Sequence, residues 1–138
     1  MSDQTYTVTP VGFVRSELKD PKNAPRQGYE GAPDAWLELI PSVTDAIKGI
    51  VKGEDLILIT WFHLAARDVL TVHPRDDASN PLTGVFLTRS PDRPNPVGLH
   101  RVQVLEVDGT RLRVAPLEAV DGTPIVDLKA ALAESADS

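Results

Sequence analysis

The sequence predicts a mainly β fold: a small single-domain β-barrel with one or two short helices, and not a Rossmann fold. Three observations predict it. Seven or so short runs rich in Val, Ile, Thr and aromatic residues are separated by closely spaced turn signals, the pattern of a compact all-β domain. Only one segment reads clearly as helix. None of the nine glycines falls into a G-x-G-x-x-G or Walker loop, so a nucleotide-binding α/β fold has no support.

Tyr6 to Val14 alternates loosely and carries Thr, Val and Phe, which predicts a first strand. Arg15 to Asp34 holds Pro21, Pro25, Pro33, Gly28 and Gly31 among charges and reads as a long irregular loop, a length usually tied to function or disorder. Ala35 to Ile40 alternates again as a strand. A short helix then runs from Pro41 to about Ile50, with Ser42 as N-cap and Asp45 completing a capping-box-like start. Asp55 to Ala65 is the most apolar run and predicts a central strand, with Trp61 and His63 on one face and Phe62 on the other.

Asp68 to His73 suggests a further strand before a polar loop, and Gly84 to Thr88 a short buried one. Val97 to Val107 and Thr110 to Leu117 form a hairpin with Asp108-Gly109 at its tip, where positive φ suits glycine. Asp121-Gly122-Thr123-Pro124 makes a second tight turn before Ile125 to Leu128. The segment from Lys129 to Ser138 reads as a frayed helix or tail of a single domain spanning residues 1–138.

Composition narrows the classes. A hydrophobic fraction of 41% excludes a largely disordered chain. The absence of cysteine excludes disulfides, thiolate catalysis and cysteine-ligated metal or iron–sulfur sites. No apolar run approaches the roughly 20 residues of a membrane span. Met1 to Thr5 lacks the features of a signal peptide, so the protein reads as cytoplasmic. A net charge of −6 argues against nonspecific coating of nucleic acid but is compatible with one structured RNA held at a local basic patch.

The strongest chemical signal is Thr88-Arg89-Ser90-Pro91-Asp92-Arg93-Pro94-Asn95-Pro96-Val97-Gly98. Three prolines fix three φ angles and pre-shape the loop. Arg89 and Arg93 can offer planar forks to carboxylate or phosphate oxygens. The alternative is a stiff crossover whose arginines are solvated or paired with Asp92. Asp127, after Ile125-Val126, is a candidate to accept a proton or hold a ligand amine, or simply a strand-end charge. Pro25-Arg26-Gln27-Gly28 places an Arg in a Gly/Pro loop, which is otherwise an ordinary exposed loop. His63 reads first as a core histidine. His63, His73 and His100 lie too far apart for a helical metal motif, no metal site is expected, and no serine is framed as a nucleophile.

Gly84 to Leu99 (GVFLTRSPDRPNPVGL) resembles the signature of the TrmO (YaeB/TsaA-like) family, GVFATRSxxRPNPIG. Val11-Gly12-Phe13-Val14-Arg15-Ser16 resembles that family's opening IGxIxS, Pro25-Arg26-Gln27 its PRQ, and Asp121 to Lys129 its DGTPVxDIK block. The four blocks agree in order across nearly the whole chain. The resemblance implies a small non-Rossmann barrel, a homodimer, and S-adenosylmethionine-dependent methylation of N6 in threonylcarbamoyl-adenosine at tRNA position 37.

It also implies cofactor contacts at Gln27, Gly28, His63, Leu64, Arg89 and His100, completed by Thr123, Pro124, Ile125 and Val126. Within that frame Arg89 is expected to hold the methionine carboxylate and Arg93 the threonyl carboxylate of the acceptor. Asp127 is expected to orient the amine or take its proton. Three departures bear on the acceptor: His100 stands where the family has Ser, the DIKPY block ends Asp127-Leu128-Lys129-Ala130-Ala131, and the chain has no room for the C-terminal domain some members carry. A small-molecule methyltransferase and a non-catalytic S-adenosylmethionine-binding module are the rival readings.

Overall fold

In a computed structural model, residues 4–20 and 32–132 of the chain are described. Six strands close into an antiparallel barrel: β1 (Gly12–Arg15), β2 (Ala35–Leu39), β3 (Asp55–Trp61), β6 (Val97–Asp108), β7 (Arg111–Ala115) and β8 (Pro124–Ala130). The order around the wall is β1-β2-β7-β6-β3-β8, and β8 returns to pair with β1. Two short strands, β4 (Thr71–Val72) and β5 (Thr83–Gly84), form a separate ribbon.

Successive residues of a barrel strand face alternately inward and outward. Gly98, His100, Val102 and Val104 of β6 are buried, while Val97, Leu99, Arg101 and Gln103 between them face out. The interior is filled by Val14, Leu37, Leu39, Leu56, Leu58, Val102, Val104, Leu112, Val114, Leu117 and Ile125. Burial of such aliphatic side chains contributes roughly 1.5–3 kcal/mol each and is the main force closing the wall. Gly109, at φ 60°, makes the β6–β7 tip.

Several expectations are corrected. The first strand begins at Gly12, not Tyr6; Gln4 to Thr9 are exposed, and Pro10 lacks the N–H a ladder needs. The helix is a 3₁₀ segment, Pro41–Ile47, with Pro41 in its first turn. Its cap is Ile40 rather than Ser42, and the Thr44 hydroxyl donates to Pro41 O at 2.7 Å instead. The central strand stops at Trp61, because Ala65 N turns back to Phe62 O; His63 therefore sits in an exposed turn, not in the core. The strand expected over Asp68 to His73 shrinks to Thr71–Val72. The buried strand expected from Gly84 to Thr88 becomes β5 and a 3₁₀ turn over Val85–Leu87, of which only Val85 is buried. Lys129 and Ala130, read as the start of the tail, extend β8.

Candidate functional site

Antiparallel pairing sets Trp61 opposite Val97 and Thr60 opposite Ile125. The turn after β3, the loop before β6 and the start of β8 therefore meet at one end of the barrel. Expected residues His63, Leu64, Arg89, Arg93, Thr123, Pro124, Ile125 and Val126 belong to or adjoin these segments, while His100 stands within β6, opposite Leu58. Gln27 and Gly28 lie outside the described residues.

The loop is clasped to the β3 turn over its whole length. Phe62 N donates to Pro96 O at 2.8 Å and Arg93 N to Ala66 O at 3.1 Å. Ala66 N reaches the Asp92 carboxylate at 2.8 Å. Arg67 donates from Nε to Pro94 O at 2.8 Å and from Nη2 to Asn95 Oδ1 at 3.0 Å, its guanidinium 5.1 Å from the Trp61 ring centroid. Asp92 thus answers a backbone N–H rather than the arginines expected beside it.

Arg93 braces the same loop from within. Its Nε donates to Ser90 O at 2.7 Å, and its Nη2 to Val85 O at 2.7 Å, to Thr88 O at 2.6 Å and to the Thr88 hydroxyl at 3.3 Å. Arg89 is exposed and has no hydrogen-bond or ion-pair partner among the described residues. Leu64 is 60% exposed. The two guanidiniums of the motif are thus divided, one spent on the loop's shape and one presented to solvent.

On β8 the register with β3 shifts between Ile59 and Thr60, so that Asp127 faces Ile59, Ile125 faces Thr60, and Val126 is the extra residue of a bulge. A bulge leaves its backbone outside the ladder and able to bond a ligand. Thr123 is buried, donating its hydroxyl to Val120 O at 2.7 Å, and Ile125 is a core residue. Asp127 is exposed, accepts from Leu128 N at 2.9 Å and lies 3.6 Å from Lys129 Nζ.

His100 is turned into the barrel and 3% exposed. Its Nε2 meets the Thr60 hydroxyl at 2.7 Å and its Nδ1 the Glu118 carboxylate at 2.5 Å. The Phe62 ring stands edge-on to it, 5.8 Å between centroids. Gly98 makes room for this group: a Cβ there would lie 2.5 Å from both Phe62 Cζ and Thr60 Oγ1. Arg67, Asp92, Thr60 and Glu118 had no local pattern to single them out, since each acts on residues 18 to 40 positions away. Among the described residues no cluster of three or more His, Cys, Asp or Glu side chains forms a metal site. No helix among them is long and apolar enough to cross a membrane.

Charge separates this end from the rest. Arg15, Arg101, Arg111 and Arg113 each pair with a carboxylate. Arg67, Arg89 and Arg93 have no carboxylate partner among the described residues, and Asp92 of the same loop is held by a backbone N–H instead. Open hollows lie at the opposite end, one lined by Ile50, Val51, Leu105 and Val107. The described residues singled out from the sequence gather at the arginine end rather than at these hollows.

Comparison with known proteins agrees in extent. The tRNA-methyltransferase O N-terminal domain family matches residues 13–138. A protein of Methanothermobacter thermautotrophicus described as a probable S-adenosyl-L-methionine-binding protein is 43% identical over 129 residues, covering 94% of this chain and 92% of its own. One of Archaeoglobus fulgidus described as an S-adenosyl-L-methionine-binding protein is 39% identical, covering 87% and 85%. The crystal structure of TrmO from Pseudomonas aeruginosa superposes with a TM-score of 0.76 at 29% identity, over 99% of this chain and 59% of that one. A second TrmO structure gives 0.76 at 30% identity, over 98% and 61%. The chain thus spans about three fifths of the TrmO chains it matches.

Proposed function

The chain belongs to the TrmO family, and from that premise we propose that it is an S-adenosylmethionine-dependent methyltransferase acting on N6 of threonylcarbamoyl-adenosine at tRNA position 37. The observation that carries the reading is the one-sided set of arginines without carboxylate partners, flanked by an exposed turn and a bulged strand. The parts suit the cofactor. Arg89 offers an uncommitted fork for a methionine carboxylate. The Val126 backbone and the His63–Leu64 turn offer hydrogen-bonding and apolar contact for a nucleoside, with Pro124 beside them. Gln27 and Gly28 are proposed to complete the contacts.

When bound, S-adenosylmethionine supplies a methyl group already activated by its sulfonium. The chain's own task is then alignment, which can supply roughly 7–11 kcal/mol of a barrier. The proline-stiffened, Arg93-braced loop fixes the backbone that carries Arg89, so little backbone order is lost when a ligand arrives. Asp127, exposed beside the bulge, is proposed to orient the acceptor amine and take its proton after transfer. Arg93 uses Nε and Nη2 on the loop, so pairing with the threonyl carboxylate is proposed for Nη1.

Homodimerisation is proposed on the ribbon side, where Leu70, Leu82, Phe86 and Leu87 are 62–85% exposed. Large apolar side chains held outward on ordered turns are characteristic of interaction surfaces. The proposed compartment is the cytoplasm, where tRNA is modified. The net charge of −6 favours one rival, a small-molecule acceptor. Methyl transfer from labelled S-adenosylmethionine to tRNA carrying or lacking the threonylcarbamoyl group decides between them. Transfer only to the modified tRNA supports the reading, and cofactor binding without transfer to either tRNA sinks it.

A further inference from the structure

His100 was expected to touch the cofactor, yet its side chain is 1% exposed and lies inside the wall. The atoms it does touch are telling. Through Thr60 it meets the last turn of β3, opposite Ile125 and next to the Val126 bulge. Through the Phe62 ring it meets the residue whose backbone opens the His63–Leu64 turn. Through Glu118 it meets the segment that leads into Thr123. Its contacts therefore lead to the two barrel segments that carry the proposed cofactor contacts, although they are more than 55 residues apart in sequence.

We propose that His100 is a positioning residue: held by Glu118, it fixes Thr60 and Phe62, and so sets the spacing between the His63–Leu64 turn and the Val126 bulge. The role rests on the cofactor reading given above. A carboxylate only accepts, so with Glu118 ionised the His100 Nδ1 carries the hydrogen. In the neutral ring Nε2 then accepts from the Thr60 hydroxyl. Thr60 is fully buried and Glu118 largely so, leaving little water to substitute for either partner. A group with both ends tied in this way has one orientation, which is what a spacer needs. Gly98 fits the same account: only a residue without a side chain lets Thr60 and Phe62 close over the ring.

The test begins without any ligand. In amide correlation spectra, Glu118→Gln and Thr60→Val should move the His63, Leu64, Ile125 and Val126 signals while leaving Gly53 and Gly109 at the opposite end in place. In the native protein, ring nitrogen shifts should report a protonated Nδ1, and Glu118→Gln should alter them. Titration with S-adenosylmethionine should then show a Kd raised on the order of tenfold in variants that remain folded.

A variant in which both buried partners are removed together, His100→Leu with Glu118→Leu and Thr60→Val, keeps the test open if a single change unfolds the chain. Replacing a buried pair by apolar groups can leave stability intact, and the affinity loss should persist. Unmoved amide signals at 63–64 and 125–126, or a Kd unchanged in variants that do move them, would overturn the positioning role. Failure of the native protein to bind S-adenosylmethionine would instead sink the cofactor reading, and the ligand-free spectra would still decide whether His100 sets the spacing.

Discussion

The side wall of the barrel and its arginine end use the same residue in opposite ways. On the wall, Arg113 reaches Asp34 at 2.7 Å and Glu106 at 3.3 Å, and Arg15 reaches Glu38 at 2.8 Å; each cation is answered by anions on neighbouring segments. At the end, Arg93 and Arg67 are held by backbone carbonyls and an amide, and Arg89 is held by nothing described. Neutral acceptors fix a guanidinium in place without cancelling its charge. These wall cations are thus neutralised by their partners, while the guanidiniums at the end keep their charge.

The largest effect that would break this contrast is at Arg93. Arg93→Ala removes hydrogen bonds from a charged donor to three carbonyls, and such bonds contribute about 1.5–3 kcal/mol each where water is excluded. Because the site is only part-buried, we expect the loss to show as local loosening. Hydrogen exchange at Thr88 to Asn95 should accelerate strongly while the wall strands keep their protection. Uniform loss across the barrel would erase the distinction between end and wall.

Gly98→Ala comes next. The new methyl meets Thr60 and Phe62 at 2.5 Å, and overpacking of this kind costs roughly 1–3 kcal/mol. Chemical denaturation should register that cost, and a neutral outcome would mean that the ring cluster at the barrel end is loosely held.

Asp121 sharpens the comparison through pH. Its carboxylate is held below the usual range, chiefly by the Ser16 N–H; partial burial opposes this, and Lys19 adds to the lowering. A depressed carboxylate stabilises the fold above its unfolded value near pH 4, and that contribution is lost as pH falls through the lower folded value. Asp121→Asn should therefore flatten the acid limb of the stability curve and leave its alkaline side unchanged. The smallest effect is at the wall: Arg15→Ala should cost below about 1 kcal/mol, as exposed pairs do.

Legibility in the sequence followed the range of the interactions. The β6–β7 hairpin could be read because two strand-forming runs flank an Asp-Gly tip, a signal stated locally. Ala35–Leu39 matched for the same reason. The segment Gly84 to Leu87 misled, because Phe86 and Leu87 are apolar and yet exposed, and composition cannot tell a buried apolar residue from an exposed one. His63 misled because a backbone turn at Phe62, set by the Pro96 carbonyl across the clasp, ends the alternation. The Arg/Pro segment was visible as a candidate, but the division of labour between Arg89 and Arg93 depends on where Val85 and Thr88 carbonyls fold back, which no spacing encodes.

Closure of the barrel reaches beyond its stability. Each of its six strands has a neighbour on both sides, so among the described residues no barrel strand is a free edge along its whole length. Growth by templating, the route toward fibrils, is disfavoured by that closure. Among the described residues the two-stranded ribbon of β4 and β5 keeps unclaimed borders in its sheet, and each of its strands is two residues long. Whatever meets this molecule must therefore recognise its side chains and loops, and a change of partner can evolve there without reopening the wall.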